Sequence, residues 1–291
     1  MTMISDLIAN PVVQSAVIPF VCSLAIAGLM LLNDGIRERF SGMAVLTGFV
    51  LAYIVIFDFP PLPPKSSGQK ILYVTVLGAA VGLYLDMFKR ETFRIITIAL
   101  LLCLATVIWI GWRKVSIAPS VDHLSLILLM SALSVVVILT EKGRLDGTDE
   151  AVPLLATSIV IAGLATMGAS ASIGQNGGAL AAALGGILVL NWPKRHFPPG
   201  ITSRVLCYAT LAALLSQLVF FTKAPVWTMT FILPVFYAGR FFDRLNFTSV
   251  RLNRSQNTVM RPMFIGVCGA ALGAIVLGLA WFDLPSDPYA S

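Results

Sequence analysis

The chain contains one apolar heptad twice: Ser158-Ile159-Val160-Ile161-Ala162-Gly163-Leu164 repeats the pattern of Ser23-Leu24-Ala25-Ile26-Ala27-Gly28-Leu29, which lies 135 positions earlier. The same offset aligns Gly42 with Gly177, Ala44 with Ala179, Pro63-Pro64 with Pro198-Pro199, Tyr73 with Tyr208 and Thr75 with Thr210. Chance accounts for the apolar matches, but it accounts less well for the prolines, tyrosines and serines at one fixed offset. We therefore interpret the chain as two related halves, since an internal repeat determines how a whole fold is read.

Composition places these halves in a membrane. Of the 291 residues, 57% are hydrophobic and only 12% are charged, and the mean hydropathy is +0.88. A soluble domain usually carries about 25% charged residues. The length is therefore better divided into transmembrane helices of about 20 residues each than into soluble domains.

Ten apolar stretches are separated by polar, charged or proline-rich connections. They predict transmembrane helices over residues 12–32, 42–57, 71–88, 93–112, 123–139, 152–167, 177–190, 204–221, 226–238 and 262–281. The stretches 152–167, 177–190 and 226–238 are short for a full crossing, so their ends are the least defined by sequence.

The charges of the connections predict how these helices are oriented. The odd-numbered connections hold 15 Lys and Arg residues, the even-numbered ones hold five, and the two ends hold none. Cytoplasmic loops carry the excess of basic residues. Both termini are therefore predicted on the non-cytoplasmic side of a cell (inner) membrane. The five tryptophans lie at predicted span ends, where an indole ring prefers the headgroup zone.

Ten helices and a duplication together predict inverted repeats, because a second copy of a five-helix unit must enter the membrane from the opposite side. The predicted fold class is all-α: a polytopic integral membrane protein with about ten transmembrane helices in two inverted five-helix repeats. The first repeat is assigned to 1–140 and the second to 152–291, joined by an acidic connecting loop at 141–151. A basic amphipathic insertion at 240–260 lengthens the last connection of the second repeat.

The connection 168–178 is the first candidate for solute binding. It contains four glycines, two serines, Gln175 and Asn176, and it has no charge. Non-helical backbone at membrane depth is tolerated only when it is buried in protein or lines water. The segment could therefore dip into the membrane and present Gln175 and Asn176 to a solute. The alternative is an ordinary small-residue loop between two tightly packed helices.

Polar side chains in the middle of predicted helices complete the candidate set. Gln217 is the most informative, because an amide is costly to bury without a partner, although a hydrogen bond between helices satisfies it without a ligand. The other members of the predicted substrate-binding set are Ser23, Ser158, Thr75 and Thr210. The sequence has no carboxylate in the middle of a predicted span, which argues against a pump that uses an Asp or Glu relay.

Signals for catalysis and metal binding are absent from the sequence. The two histidines, His123 and His196, are far apart, and the four cysteines lie in apolar stretches away from either of them. We therefore expect no enzyme activity, no cofactor and no metal. The net charge of +6 comes largely from the predicted cytoplasmic connections and does not indicate nucleic-acid binding.

A basic patch near the C-terminus predicts contact with lipid. Arg240, Arg244, Arg251 and Arg254 are spaced by four, seven and three residues, which places them on one face of a helix. Such a helix would lie on the anionic inner leaflet. The alternative is a basic loop that only obeys the orientation rule.

Two functions from different classes fit these patterns. The first is a transporter-like or channel-like protein that moves a small solute, uncharged or anionic, between the two inverted repeats. The second is a non-catalytic structural or assembly subunit that packs against other membrane protein subunits. The transporter predicts a polar cavity at the membrane midplane lined by both halves, whereas the subunit predicts a dry seam between them.

Overall fold

The computed structural model describes residues 10–87, 92–117, 147–197, 200–249 and 254–283. All regular secondary structure within these ranges is helical, so the all-α prediction is confirmed for them. The predicted helix at 123–139 and the two termini lie outside the described residues.

Four long helices form the first half of the described chain. A five-residue π-helical segment, Val13–Val17, leads into α1 (Ile18–Met30), which is followed by α2 (Asp34–Phe57), α3 (Ser67–Met87) and α4 (Thr92–Ile117). The second half contains α5 (Gly147–Met167), α6 (Ala171–Asn191), α7 (Ile201–Phe221), a 3-10 helix (Val226–Tyr237), α8 (Ala238–Ser249) and α9 (Arg254–Asp283).

Length and composition make this a multi-pass membrane protein. Among the described residues, seven helical stretches are long and apolar enough to span a bilayer. They are Val13–Met30, Phe40–Phe57, Ser67–Met87, Thr148–Met167, Ala171–Asn191, Ile201–Phe221 and Thr258–Asp283. The predicted span at 93–112 corresponds to a shorter apolar segment, Thr97–Arg113, and the one at 226–238 to the 3-10 helix.

The prediction of a non-helical link at 168–178 is wrong, because α6 begins at Ala171 and only Gly168–Ser170 lie outside a helix. The turn is closed by a left-handed residue, Ala169 (φ 62°), and by the Ser170 N–H, which donates to the Ala165 carbonyl oxygen at 2.8 Å. This arrangement terminates a helix tightly. The glycines that suggested a loop instead allow α5 and α6 to pack closely.

The acidic connecting loop predicted at 141–151 is also partly wrong. Residues Gly147–Ala151 form the first turns of α5, while 141–146 lie outside the described residues. Asp149 and Glu150 occupy the first turn of this helix, where negative charge is favoured by the helix dipole. The acidic side chains are therefore part of the fold rather than of a solvated linker.

The helix α7 lies at the centre of the described structure. It packs along α3 and also contacts α2, α4, α5 and α6. Around this pair, α1 packs on α2 and α6, and α5 packs on α6 and α9. We call the contact between α3 and α7 the seam, because one helix comes from each half of the chain.

Two glycines set the distance between helices at one end of the seam. A Cβ atom added at Gly82 would lie 2.5 Å from the Cα of Thr202, and one added at Gly42 would lie 2.6 Å from the backbone nitrogen of Ser203. Only glycine fits at such crossings, as in other closely packed transmembrane helices. Further along the seam, the hydroxyl oxygens of Thr75 and Thr210 lie 2.9 Å apart.

Candidate functional site

A cleft of about 320 Å³ opens at one end of the seam, where α2, α3, α6 and α7 come together. We call it the polar cleft; its lining residues are Tyr53, Phe57, Ser66, Gly68, Gln69, Ser172, Asn176 and Gln217. Both halves of the chain contribute to it, and none of these eight residues, all within the described ranges, is charged. We call this end of the seam the uncharged end.

Asn176 carries the strongest binding signal in the polar cleft. It is only 2% exposed, and its side-chain amide donates to the Ser172 carbonyl oxygen at 3.0 Å. Its Oδ1 atom is buried and has no hydrogen-bond partner among the described residues. Leaving a buried acceptor unsatisfied costs about 1–3 kcal/mol. A ligand that donates an N–H or O–H would remove that cost.

Gln217 and Tyr53 hold the start of α3 in place beside the polar cleft. The Gln217 Nε2 atom, on α7, donates to the Ser67 carbonyl oxygen at 2.6 Å, and the Tyr53 hydroxyl, on α2, donates to the Gly68 carbonyl oxygen at 3.0 Å. Both acceptors belong to the first turn of α3. The start of α3 is therefore held by side chains from two neighbouring helices.

The first turn of α3 is also capped by its own sequence. The Gln69 N–H donates to the Ser66 Oγ atom at 3.3 Å, while the Gln69 Oε1 atom accepts from the backbone N–H groups of Ser66 (3.2 Å) and Lys65 (2.7 Å). A Ser-x-x-Gln capping box satisfies the free N–H groups of a helix start in this way. The capped first turn of α3 therefore forms one side of the polar cleft.

The predicted substrate-binding set divides into two groups. Asn176 and Gln217 line the polar cleft, whereas the neighbouring Gln175 is half-buried and is not among the described residues that line it. Ser23 is buried and donates to the Ala183 carbonyl oxygen at 2.7 Å, and Ser158 donates to the Leu154 carbonyl oxygen at 2.8 Å.

Thr75 and Thr210 complete this second group. Each hydroxyl also lies within hydrogen-bond distance of a carbonyl oxygen in its own helix, that of Ile71 (2.9 Å) or Leu206 (2.8 Å). The four hydroxyls are therefore satisfied by the protein and contribute to packing. A binding role for any residue of the set stays a prediction.

The polar cleft lies near a membrane face rather than at the midplane. Asn176 is five residues from the start of α6 and Gln217 is four residues from the end of α7. At 1.5 Å per residue, the cleft reaches roughly 6–8 Å below the helix ends. Near the middle of the seam, Thr75 and Thr210 are in contact, so the polar cleft does not have the position expected from sequence.

A second, much smaller cavity lies at the other end of the seam. Its volume of about 30 Å³ is close to that of one water molecule. We call it the charged-end cavity; its lining residues are Ser41, Glu150, Ala151, Leu154, Leu184, Ile187, Leu188, Asn191, Phe197, Gly200 and Ser203. It is closed on one side by the first turns of α5.

Ion pairs surround the charged-end cavity. The Glu150 Oε2 atom lies 2.6 Å from Arg204 Nε, which joins α5 to α7. Asp149, whose side chain is fully buried, lies 3.2 Å from Arg261 and 3.6 Å from Arg195. The two opposite charges offset the cost of burying this carboxylate and hold the first turn of α5 in place.

Asp86 ties the two halves together at the same end. Its carboxylate, at the end of α3, accepts from the backbone N–H groups of Ile201 (3.2 Å) and Thr202 (2.9 Å) and from the Thr202 hydroxyl. A carboxylate at a helix start satisfies free N–H groups and complements the helix dipole. Asp86 therefore anchors the start of α7 against α3.

Sequence reasoning missed Tyr53 and Glu150 as lining residues of the two cavities, and it missed the contacts of Asp86 with α7 and of Glu150 with Arg204. Tyr53 resembles any aromatic residue in an apolar helix. The charged residues lie at the ends of predicted spans, where they are counted as orientation signals. Their common position at helix ends was the available signal, but their partners are more than fifty residues away in the chain.

The predicted lipid-binding arginines are only partly described. Arg240 and Arg244 lie on α8, Arg254 is the first residue of α9, and Arg251 lies outside the described residues. On α8, Phe241 and Arg244 are exposed. Lipid binding by these residues stays a prediction.

No known protein-family model matches this chain, and no curated protein matches it.

Proposed function

We propose that this protein is a transporter-like or channel-like membrane protein that moves a small, uncharged, polar solute between two inverted repeats, with the polar cleft as its binding site. The observation that carries the proposal is the buried Asn176 Oδ1 atom, which has no partner among the described residues. A buried acceptor at the wall of a cleft indicates a donor that is supplied from outside.

The helix boundaries support the inverted repeat. Shifted by the sequence offset of 135, α2 would cover 169–192, and α6 covers Ala171–Asn191. Shifted in the same way, α3 would cover 202–222, and α7 covers Ile201–Phe221. The ends agree within two residues, which is the usual uncertainty of a helix boundary. Equivalent stretches of the two halves therefore form equivalent helices.

Contacts along the seam support a two-fold relation. Thr75 contacts Thr210, its own equivalent at the offset of 135. On one side of this pair Gly82 packs against Thr202, and on the other side Gln217 bonds to Ser67. Residues 217 and 67 are the equivalents of 82 and 202, so one contact maps onto the other. A two-fold axis between antiparallel helices produces this pattern.

The chemistry of the polar cleft favours an uncharged solute. Its volume lies at the lower end of the range for small-molecule sites, about 300–1,000 Å³. Tyr53 and Phe57 provide an apolar wall, while Asn176, Gln217 and Ser172 provide polar atoms. An anion would need a cationic or N–H-rich partner, and none of the lining residues is cationic. Small polyols and amides combine suitable size with N–H or O–H donors.

Uptake into proteoliposomes tests the proposal. The purified protein is reconstituted, and entry of radiolabelled glycerol, xylitol and urea is compared with that into protein-free liposomes. We expect faster entry of at least one solute and about a tenfold reduction by Asn176→Leu, since tenfold corresponds to about 1.4 kcal/mol, or one hydrogen bond.

The matched control is Gln175→Leu, which changes the neighbouring amide outside the cleft and should leave uptake within about twofold of wild type. Equal rates with and without protein for all three solutes would refute the proposal. So would uptake that Asn176→Leu leaves unchanged.

The orientation and the absence of catalysis also belong to this proposal. With the loop charges as a guide, we place the charged end of the seam in the cytoplasm of a cell with an inner membrane, and both termini on the other side. A non-catalytic role follows from the sequence, which has no nucleophile or metal-ligand pattern.

Contact of α8 with anionic lipid is a further part of the proposal. Arg240, Arg244 and the exposed Phe241 lie on one short helix next to the spans, a composition suited to a membrane surface. Arg240→Gln combined with Arg244→Gln should weaken binding of anionic lipid, measured by lipid retention in native mass spectrometry. Unchanged retention would exclude this contact.

The second candidate function is a structural or assembly subunit of a larger membrane complex. The contact between Thr75 and Thr210 favours it, because the two halves meet directly at this point of the seam. Extraction in mild detergent followed by mass measurement distinguishes the two. A stoichiometric partner protein together with no solute uptake would favour the subunit.

A further inference from the structure

The two cavities occupy equivalent positions in the two halves. With the offset of 135 positions, Asn176 of the polar cleft corresponds to Ser41, Tyr53 corresponds to Leu188, and Gly68 corresponds to Ser203. All three equivalents line the charged-end cavity. The two cavities differ in volume by about tenfold, about 320 against about 30 Å³. The smaller cavity therefore has the location of a second cleft that is nearly filled.

The first turn of α5 fills much of the charged-end cavity. Glu150, Ala151 and Leu154 all line the charged-end cavity. Their equivalents in the first half are Ser15, Ala16 and Pro19, and none of these is among the described residues that line the polar cleft. The start of α5 thus fills the charged-end cavity, whereas the equivalent segment of the first half does not fill the polar cleft.

Ion pairs are found at only one of the two equivalent helix starts among the described residues. Glu150 bonds to Arg204 at 2.6 Å, and the adjacent Asp149 is buried between Arg195 and Arg261. The equivalents of Asp149 and Glu150 are Gln14 and Ser15, which are uncharged. The Ser15 hydroxyl donates to the Pro11 carbonyl oxygen of its own segment at 2.7 Å.

We infer that the charged-end cavity is a second site for the same uncharged polar solute, and that the Glu150–Arg204 pair is the gate that keeps it closed while the polar cleft is open. The inference rests on the proposed function. The hydroxyls of Ser41 and Ser203 supply polar atoms of the second site, while Asn191, whose side-chain amide bonds to the Phe197 backbone, forms part of its wall. Solute reaches it when the first turn of α5 moves away from α7, and the polar cleft then closes.

Cysteine accessibility in lipid nanodiscs tests this gate without a solute, because both ends of the protein are open to reagent. Ser41→Cys reports on the charged-end cavity and Ser172→Cys on the polar cleft, each labelled with a charged maleimide. Protein with only its four natural cysteines provides the background rate. With Glu150 and Arg204 intact, we expect Cys at 172 to react at least tenfold faster than Cys at 41.

Glu150→Gln should reverse this order, raising the rate at position 41 and lowering the rate at position 172. Arg204→Gln removes the same ion pair from the other side and should have the same two effects. Exchange of the charges, Glu150→Arg with Arg204→Glu, should restore the original rates. Asp243→Asn, which changes a half-exposed carboxylate at the same end, is the matched control and should change neither rate.

Two outcomes would overturn the inference. The first is an unchanged rate at position 41 in both single variants. The second is a higher rate at position 41 without a lower rate at position 172, because that pattern indicates local loosening rather than exchange between two sites.

The labelling experiment tests the gate and the uptake experiment tests transport, so each proposal can be refuted without the other. Reversed labelling without uptake of glycerol, xylitol or urea would leave the gate in place and refute transport of these solutes. Uptake that depends on Asn176, with labelling that does not respond to Glu150→Gln, would leave the transporter in place and refute the gate.

Discussion

The two ends of the seam between α3 and α7 are held by different interactions. At the uncharged end, Gln217 and Tyr53 bond to backbone carbonyl groups of α3, and a cleft remains. At the charged end, Asp86 binds the start of α7 and Glu150 binds Arg204, and the cavity is nearly filled. Buried charge, together with close packing at Gly42 and Gly82, therefore distinguishes the charged end from the uncharged end.

This difference shows how one pair of packed helices can be held firmly at one end and more loosely at the other. An ion pair away from water needs good geometry and further hydrogen bonds to offset desolvation, but removal of one partner leaves an isolated charge. The charged end therefore tolerates few intermediate arrangements. The uncharged end is held by neutral hydrogen bonds of about 1 kcal/mol each, which can be exchanged one at a time.

The largest effect is expected from Asp149→Asn at the charged end. The change leaves Arg195 and Arg261 without their buried counter-charge, and we expect the free energy of unfolding to fall by about 3–5 kcal/mol. Unfolding in mixed micelles of increasing SDS fraction measures this loss. The matched control is Asp243→Asn, whose carboxylate is 47% exposed and lies 3.0 Å from the same Arg261.

The control should cost below about 1 kcal/mol, as exposed ion pairs do. If the two variants lost similar stability, burial of charge would not be what separates the two ends.

An intermediate effect is expected from Gly82→Ala, which tests close packing at the charged end. The new Cβ would lie 2.5 Å from the Thr202 Cα atom, so the helices must separate. We expect a loss of about 1–3 kcal/mol, measured by the same SDS titration. Gly28→Ala is the control, because no atom lies within 4 Å of its added Cβ.

Gly28→Ala should stabilise the protein by up to about 1 kcal/mol through helix propensity. Equal effects of the two substitutions would mean that the seam can widen at the charged end without cost.

The smallest effect is expected at the centre of the seam, from Thr75→Val and Thr210→Val. A double-mutant cycle should give a coupling energy of about 0.6 kcal/mol, the usual size for a hydrogen bond between transmembrane helices. The same SDS titration on the two single variants and the double variant supplies the cycle. A coupling above about 2 kcal/mol would place the main hold on the seam at its centre rather than at the charged end.

The sequence predicted the long apolar helices well, because an uninterrupted apolar run of bilayer length has few alternatives in a membrane. It predicted their ends less well. α2 begins at Asp34 and α9 at Arg254, each eight residues before the predicted span. Hydropathy reports where the chain leaves the bilayer, whereas the helix continues into polar sequence until its backbone bonds stop.

The candidate site was predictable in part for a similar reason. Gln217 is identified because an amide is costly to bury in an apolar helix, and Asn176 because it lies in the uncharged, glycine-rich stretch 168–178. Their common cleft could not be predicted, since it depends on how α6 and α7 are rotated about their axes. The Glu150–Arg204 pair was missed because charges at span ends are read one residue at a time, while their meaning here comes from a partner on another helix.

The contact between Thr75 and Thr210 has one more consequence. The two hydroxyl groups have two hydrogens in total, but three oxygen–oxygen contacts are within hydrogen-bond distance: one to the Ile71 carbonyl, one to the Leu206 carbonyl and one between the threonines. When one threonine donates to the other, only one of the two carbonyl oxygens accepts a hydrogen bond from a hydroxyl. The pair thus has two donor arrangements of similar energy, one with each threonine as the donor to the other. Rotation about the two C–O bonds converts one arrangement into the other.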